Sequence, residues 1–227
     1  MFRSTGPVAH DLQGVFGELW TGMTGEILVG EAIYPETDFV PIKNAPTYVP
    51  LARVPSPDSV ALQRFILLSL LAAEKTIWIT TPYFLPDTSI RETLIKRSKA
   101  GVDVRVLVPN SHNDSQSVRY ASHDSYEELL AGGVKIYEYQ PTFIHTKAMT
   151  IDGAWSVFGS ANMDNRSRRL NQEVVMGISD KAFGAAMQKV FLDDIARAEQ
   201  IDIVQWRKRG IWEHIRENFD RNFVEQY

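Results

Sequence analysis

The sequence predicts an α/β fold, a mixed β-sheet flanked by helices, on three observations. Stretches with helical apolar spacing alternate with short β-rich runs through the middle of the chain. Turn residues close almost every run, and one junction, Asp152-Gly153, is a strong hairpin dipeptide. Among 227 residues, 44% are hydrophobic and 23% charged, which supplies enough apolar mass to bury a real core.

The elements follow in chain order. Val8, Leu12, Val15, Phe16 and Leu19 recur at helical spacing and predict a helix over residues 8–20, ended by Gly22 and Gly25. Residues 33–57 carry Pro35, Pro41, Pro46, Pro50, Pro55 and Pro57 and read as a connecting segment with room for one extended piece. A helix is expected over 59–73, with Asp58 or Ser59 as its N-cap. Residues 76–80 (Thr-Ile-Trp-Ile-Thr) form a strand stopped by Pro82, and residues 89–99 a helix stopped by Gly101. Residues 102–108 alternate apolar and polar and end at Pro109, so they read as a strand. A helix over 122–131 is closed by Gly132-Gly133, and a strand follows over 134–139. Residues 147–151 and 156–158 make the hairpin about Asp152-Gly153. A strand over 173–178, a helix over 181–198 and a charged, aromatic-containing helical segment from Ile203 onward complete the chain. No internal repeat or low-complexity tract interrupts this order.

Composition narrows the chemistry. The formal net charge is -4 and the pI about 5.8, so no overall basic field draws nucleic acid, which is not an expected partner. The absence of cysteine excludes disulfides and thiol chemistry and removes the commonest zinc ligand; no metal and no cofactor is expected. No uninterrupted apolar run is long enough to cross a bilayer, and residues 1–4 lack the apolar stretch of a signal peptide. A lipid substrate would therefore be met from the membrane surface, unless an anchor lies on sequence outside this chain.

The informative stretch is H-x-K-x4-D over His145, Lys147 and Asp152, followed by G-S-x-N over Gly159, Ser160, Ala161 and Asn162. Two residues apart on an expected strand, His145 and Lys147 leave the same face, which Met149 and Ile151 continue. The lysine suits a phosphate oxygen as a point charge, and the histidine can act as nucleophile or proton carrier near neutral pH. The hairpin returns to Gly159, after which Ser160 and Asn162 offer a hydroxyl and an amide to an oxyanion-type cradle. A short helical turn near Asp164 would aim backbone N–H groups the same way. Glu173 opens the next strand, where a carboxylate would hold Nδ1–H of His145 and leave Nε2 facing substrate. An isolated His-x-Lys is usually surface decoration; the longer pattern is far more restrictive.

That pattern resembles the HKD motif of the phospholipase D superfamily. Thr81-Pro82-Tyr83-Phe84-Leu85-Pro86-Asp87, the strand from Gly101 to Pro109, the strand from Gly133 to Tyr139, Asn165-Arg166-Ser167 and Leu170-Asn171-Gln172-Glu173 are similar to segments in the second half of bacterial cardiolipin synthases. The resemblance implies a phosphatidyltransferase of cardiolipin synthase type, working on phospholipid phosphodiesters through a phosphohistidine. It implies catalytic residues His145, Lys147, Asp152 and Glu173, with Asp152 in a supporting role that holds the hairpin and its neighbours. Phosphate falls to Lys147, Ser160 and Asn162. Whether His145 is nucleophile or general acid stays open. The alternatives are a hydrolase or nuclease of the same chemistry, and an inactive half-domain.

Only one motif is present: His10, His112, His123 and His214 lack the accompanying Lys and Asp. Residues 6–16 nonetheless resemble the helix that follows the first motif in two-motif relatives. The expected division is a first-half remnant and linker over 1–45, a phospholipase D-type half-domain over 46–200, and a C-terminal amphipathic helical tail over 201–227. The implied partners are a phospholipid, with phosphatidylglycerol foremost, a peripheral membrane surface on the cytoplasmic face, and a second HKD half from a missing N-terminal region or a homodimer partner. Tyr83, Phe84, Arg166 and Arg168 are candidate lipid contacts. Trp206, Arg207, Lys208, Arg209, Ile211, Trp212, Ile215 and Phe219 suit a helix lying on a membrane surface as well as one packed on the domain.

Overall fold

The computed structural model describes residues 2–35, 45–53 and 60–209; Asp58, Ser59 and the tail from Gly210 onward lie outside the described residues. Sixteen elements occur among them. They are α1 (Pro7–Thr24), β1 (Thr47–Arg53), α2 (Ala61–Ala72), β2 (Thr76–Thr80), α3 (Thr88–Lys99), β3 (Asp103–Pro109), α4 (Gln116–His123) and α5 (Tyr126–Ala131). Then come β4 (Lys135–Tyr139), β5 (Ala148–Ile151), β6 (Trp155–Gly159), α6 (Asn165–Arg169), β7 (Glu173–Ser179), α7 (Lys181–Ile195), β8 (Ala198–Gln200) and α8 (Ile203–Arg207).

The eight strands form one sheet in the order β1-β7-β6-β5-β2-β3-β4-β8. β2, β3 and β4 run parallel, each reached through a helical crossover, while the remaining pairs are antiparallel. The expected mixed α/β sheet is therefore the fold.

Period-two alternation sorts side chains between two cores. Ile77, Ile79, Val104, Val106, Ile136, Met149, Ile151 and Val157 meet Leu62, Ile66 and Leu70 of α2 and Ile90 and Leu94 of α3. On the other face Trp78, Leu107 and Tyr139 cover Ile144 and Phe191 of α7. Asp87 caps α3 by accepting from the Ile90 N–H at 2.8 Å, and Asp180 caps α7 by accepting from the Phe183 N–H at 2.6 Å.

Several expectations shift. The helix over 122–131 is two helices broken at Asp124-Ser125, and α4 begins upstream at Gln116. The helix over 181–198 ends at Ile195, because Ala198–Gln200 pairs antiparallel with β4 as the sheet's edge. The extended piece in the proline-rich segment is β1, whose Pro50 falls on an edge strand. Trp206 is buried against Tyr126 and His123, so residues up to Arg209 belong to the body and do not present that ring to a membrane. Among the described residues no helix is long and apolar enough to cross a membrane.

Candidate active site

One end of the central strands gathers the candidate side chains His145, Lys147, Ser160, Asn162 and Glu173, because parallel β2, β3 and β4 end where the antiparallel neighbours β5 and β7 begin and β6 ends. Sites outside the carboxyl ends of parallel strands are general in α/β sheets. The chain leaving β2 is tied to the chain leaving β6: the Leu85 N–H donates to the Met163 carbonyl at 2.9 Å, and Phe84 bridges Met163. Gly159 at the end of β6 lets that strand close on β7, since a Cβ there would stand 2.1 Å from the Val174 carbonyl oxygen.

β5 starts at Ala148, so His145 and Lys147 sit just before the strand and not within it. They nevertheless converge. Lys147 Nζ stands 3.2 Å from both Nδ1 and Nε2 of His145 and donates to the His145 carbonyl at 3.1 Å. The imidazole is exposed and framed by two rings, Phe143 at 5.3 Å and Tyr83 edge-on at 6.5 Å between centroids. Lys147 and Met149 line a hollow of about 30 Å³ with Asn162, the size of one small guest.

Asn162 is 9% exposed and its Oδ1 is buried with no hydrogen-bond partner. A buried polar atom left unsatisfied at the mouth of a hollow is the kind of defect that a bound donor or water relieves. The Asn162 backbone N–H donates to the Ser167 hydroxyl at 3.0 Å, which anchors this residue to α6.

Glu173 departs from its expected role. Its Oε2 accepts from the Ser160 hydroxyl at 2.5 Å and its Oε1 from the Asn171 amide at 3.1 Å, and no hydrogen bond joins it to His145. Ser160 is equally committed, because its oxygen also accepts from the Val174 N–H at 2.9 Å. The reason is register: Ser160 lies directly across from Val174, so the nearest acceptor for its hydroxyl is the Glu173 carboxylate. Glu173 and Ser160 thus form a bracket beside the site, and the proton of the expected hydroxyl donor to phosphate is spent on Glu173.

Asp152 stands at the opposite end of β5 from Lys147. Its carboxylate accepts from the backbone N–H groups of Glu74, Lys75 and Thr76 at 2.8, 2.7 and 2.7 Å. With six residues of largely extended chain between them, Asp152 and His145 lie at opposite ends of β5. The other candidates divide. Phe84 is 1% exposed in the main core, so it lines no lipid pocket. Arg166 donates to Asn171 at 3.3 Å, and the Arg168 side chain lies outside the described residues. Tyr83 faces the site through its ring, and its hydroxyl bonds Asp114.

Two carboxylates that the sequence reading passed over complete the electrostatics. Asp114, on the loop after β3, and Asp164, the N-cap of α6, both act on Lys147. Burial pushes the Lys147 ammonium below its ordinary range, against the opposing pull of Glu173, Asp164 and Asp114. Burial also lowers His145, with the Lys147 charge adding and Asp114 opposing. Burial raises Asp164 to about 6, despite hydrogen bonds from Ser167 and Asn162 and helped by the nearby Glu173 charge. The D-x-x-S spacing from Asp164 to Ser167 marks a helix cap in the sequence, but nothing in it signals burial beside Lys147. Among the described residues no group of three or more His, Asp or Glu is placed to hold a metal ion.

The chain is similar to known proteins in sequence and in fold. Residues 66–195 match the family described as cardiolipin synthase, PLD-like domain. The probable cardiolipin synthase YwiE of Bacillus subtilis is 36% identical over 222 residues, covering 97% of this chain and 43% of that protein. Cardiolipin synthase A of Yersinia pseudotuberculosis is 34% identical over 219 residues, 96% of this chain and 44% of its own length. The chain thus spans less than half of these relatives. The crystal structure of Nuc, a phospholipase D family member from Salmonella typhimurium, superposes with a TM-score of 0.58 at 17% identity, over 69% of this chain and 99% of that one, which shows a shared fold. With more than half of its length matched, the chain belongs to the phospholipase D-like domain family of the cardiolipin synthases.

Proposed function

We propose that this chain supplies one half of a phosphatidyl-transferring active site, with phosphatidylglycerol as the foremost substrate and a phosphohistidine as intermediate. The observation that carries the reading is the meeting of the His145 imidazole and the Lys147 ammonium, 3.2 Å apart, at an open end of the sheet. Partial burial and that ammonium lower the imidazole, which favours the neutral form that acts as a nucleophile or base.

The chemistry needs two imidazoles. One attacks phosphorus in line, forming a P–N bond as the P–O bond to the leaving alkoxide breaks. The second gives that oxygen its proton. The acceptor alcohol then attacks the phosphohistidine and passes its proton to the second imidazole, and the P–N bond breaks. Lys147 holds a non-bridging oxygen as charge builds, with the N–H of Asn162 that is not bonded to Asp164 as a second donor. A single imidazole cannot serve both faces of one phosphorus, so the second half-site comes from further sequence or from a second copy of the chain. The relatives' greater length favours the first source.

The test is to mix the protein with phosphatidylglycerol vesicles and follow cardiolipin and glycerol together. Equal release of both supports transfer. Phosphatidic acid with free glycerol points to hydrolysis, and cleavage of single-stranded DNA to a nuclease. A phosphoenzyme trapped in acid-free conditions and missing from His145→Ala assigns the nucleophile to this half.

A further inference from the structure

Asp164 and Asn162 are bonded side chain to side chain, and the pair leaves one buried atom without a partner. Asp164, the N-cap of α6, is 3% exposed. Its carboxylate accepts from the Ser167 N–H at 2.7 Å, from the Ser167 hydroxyl and from the side-chain amide of Asn162. The amide thus spends one N–H on Asp164, while its Oδ1 has no donor. Glu173 of β7, Lys147 ahead of β5 and Tyr83 after β2 are the charged and titratable groups that act on Asp164 from its neighbours. On its own helix, Arg166 turns to Asn171. His145 lies next beyond Lys147.

What would satisfy the stranded oxygen? An amide exchanges its oxygen and nitrogen by a half-turn about the Cβ–Cγ bond, with almost no change of shape. The half-turn brings Oδ1 to Asp164. An ionised carboxylate only accepts hydrogen bonds, so it repels an oxygen there. A protonated carboxyl has one O–H to give, and Oδ1 is an acceptor that lacks a donor. Burial favours that proton and the Glu173 charge adds to it, so the carboxyl is raised to about 6 against the hydrogen bonds from Ser167 and Asn162. The charge of a bound phosphodiester acts in the same direction. After the half-turn both N–H bonds of Asn162 are clear of Asp164 and available to an anion in the hollow that Asn162 and Lys147 line. One proton therefore removes a buried unsatisfied acceptor and enlarges the set of donors.

We propose that Asp164 is a positioning residue for the phosphodiester: holding a proton, it donates to Oδ1 of Asn162, and the inverted amide turns its NH2 group toward a non-bridging oxygen. Substrate binding then takes up one proton from solvent at Asp164. Product release returns the proton, and the amide reverts to the arrangement in which Asp164 is ionised and only one N–H is free. The role in turnover rests on the phosphatidyl-transfer reading; the inversion needs only a phosphodiester in the hollow.

The test titrates dimethyl phosphate, a phosphodiester that stays singly charged near neutral pH and adds no titration of its own. His145→Ala is the parent protein, because imidazolium formation would also favour an anion in acid. Its dissociation constant, read by NMR, should fall about tenfold between about pH 7.5 and 5, the worth of one hydrogen bond to a charged group. Asp164→Asn in that parent puts a permanent N–H donor beside Asn162. It should bind at pH 7.5 as tightly as the parent does at pH 5, with no dependence on pH. Loss of the Asp164 charge alone would also help an anion, and adding Asn162→Ala separates the two causes. The gain from Asp164→Asn should vanish there, and its persistence overturns the inversion. Asn162→Leu, which keeps the volume, serves the same comparison where the alanine variant does not fold. A dissociation constant that ignores pH in the parent, or no binding at either pH, also overturns it. Assays of wild-type protein for cardiolipin keep the two readings apart. Acid-strengthened binding that needs Asn162, with no transfer at any pH, sinks the transferase and keeps the inversion. Transfer by wild type with pH-independent binding in the parent keeps the transferase and sinks the inversion.

Discussion

The β5–β6 hairpin carries charged side chains at both ends, and the two ends treat charge in opposite ways. At the turn, partial burial works to raise the Asp152 carboxyl. The N–H groups of Glu74, Thr76 and Lys75, with the Lys75 charge, outweigh it and hold the group below the usual carboxylate range. At the open end, burial drives His145, Lys147 and Asp164 toward their uncharged forms, and their neighbours only partly compensate. One end of the strand is electrostatically satisfied and fixes the fold. The other holds an imidazole, an ammonium and a carboxyl whose charged forms are poorly compensated, which is the usual condition of a functional site.

The sharpest way to break this division is at His145. His145→Ala should reduce phosphoryl transfer by roughly four orders of magnitude, as loss of a nucleophile or proton carrier does. Its melting temperature should hold, because the side chain is exposed. A large loss of stability would move His145 to the structural end of the comparison. Lys147→Met comes next, with about 10²–10³ in rate from lost charge on the phosphate oxygens. The same change removes a cation that disfavours imidazolium, so the His145 pKa should rise in an NMR titration. An unchanged or lower value would mean that the 3.2 Å approach does not persist in solution.

At the other end, Asp152→Ala should cost about 2–3 kcal/mol in chemical denaturation, from three lost charge-assisted hydrogen bonds at a partly exposed site. It also puts alanine at a position with φ of 54°, which aspartate tolerates better. Asp152→Asn keeps that tolerance and should cost less. A loss of activity beyond the loss of folded protein would show that the turn end reaches the chemistry after all.

The two ends were not equally legible. Asp152-Gly153 announces a hairpin by itself, and residues 76–80 read as a strand with the bounds the structure gives, because both signals are local. The H-x-K-x4-D spacing likewise placed His145 and Lys147 side by side. What escaped was set by partners far along the chain. Asp114 lies 31 residues from Tyr83, and only the parallel pairing of β2 with β3 brings their loops together. Glu173 answers to Ser160 through the β6–β7 register, which spacing alone does not reveal. β8 is three residues long and exists because β4 has a free edge. Trp206 reads as amphipathic and surface-seeking until α5 supplies Tyr126 to cover it.

Asp164 gives the smallest effect and the finest test of the contrast, since here the sign of a pH dependence is at stake. Its carboxyl titrates near 6 in the folded protein against an ordinary 3.8, so the folded state holds this proton more tightly than the unfolded chain. The group therefore adds stability at pH 4.5 that is lost as pH rises through 6, about 2 kcal/mol by linkage. Asp152 has the opposite sign: its depressed carboxyl favours the fold above the ordinary carboxylate pKa and loses that contribution as acid protonates it. Asn caps a helix about as well as Asp and carries no charge to bury, so Asp164→Asn should keep α6 and flatten the loss between pH 4.5 and 7. Unfolding free energies of wild type and variant at those two pH values decide it. If the variant instead loses stability equally at both, the carboxylate at the open end is held as firmly as the one at the turn, and the contrast between the two ends dissolves.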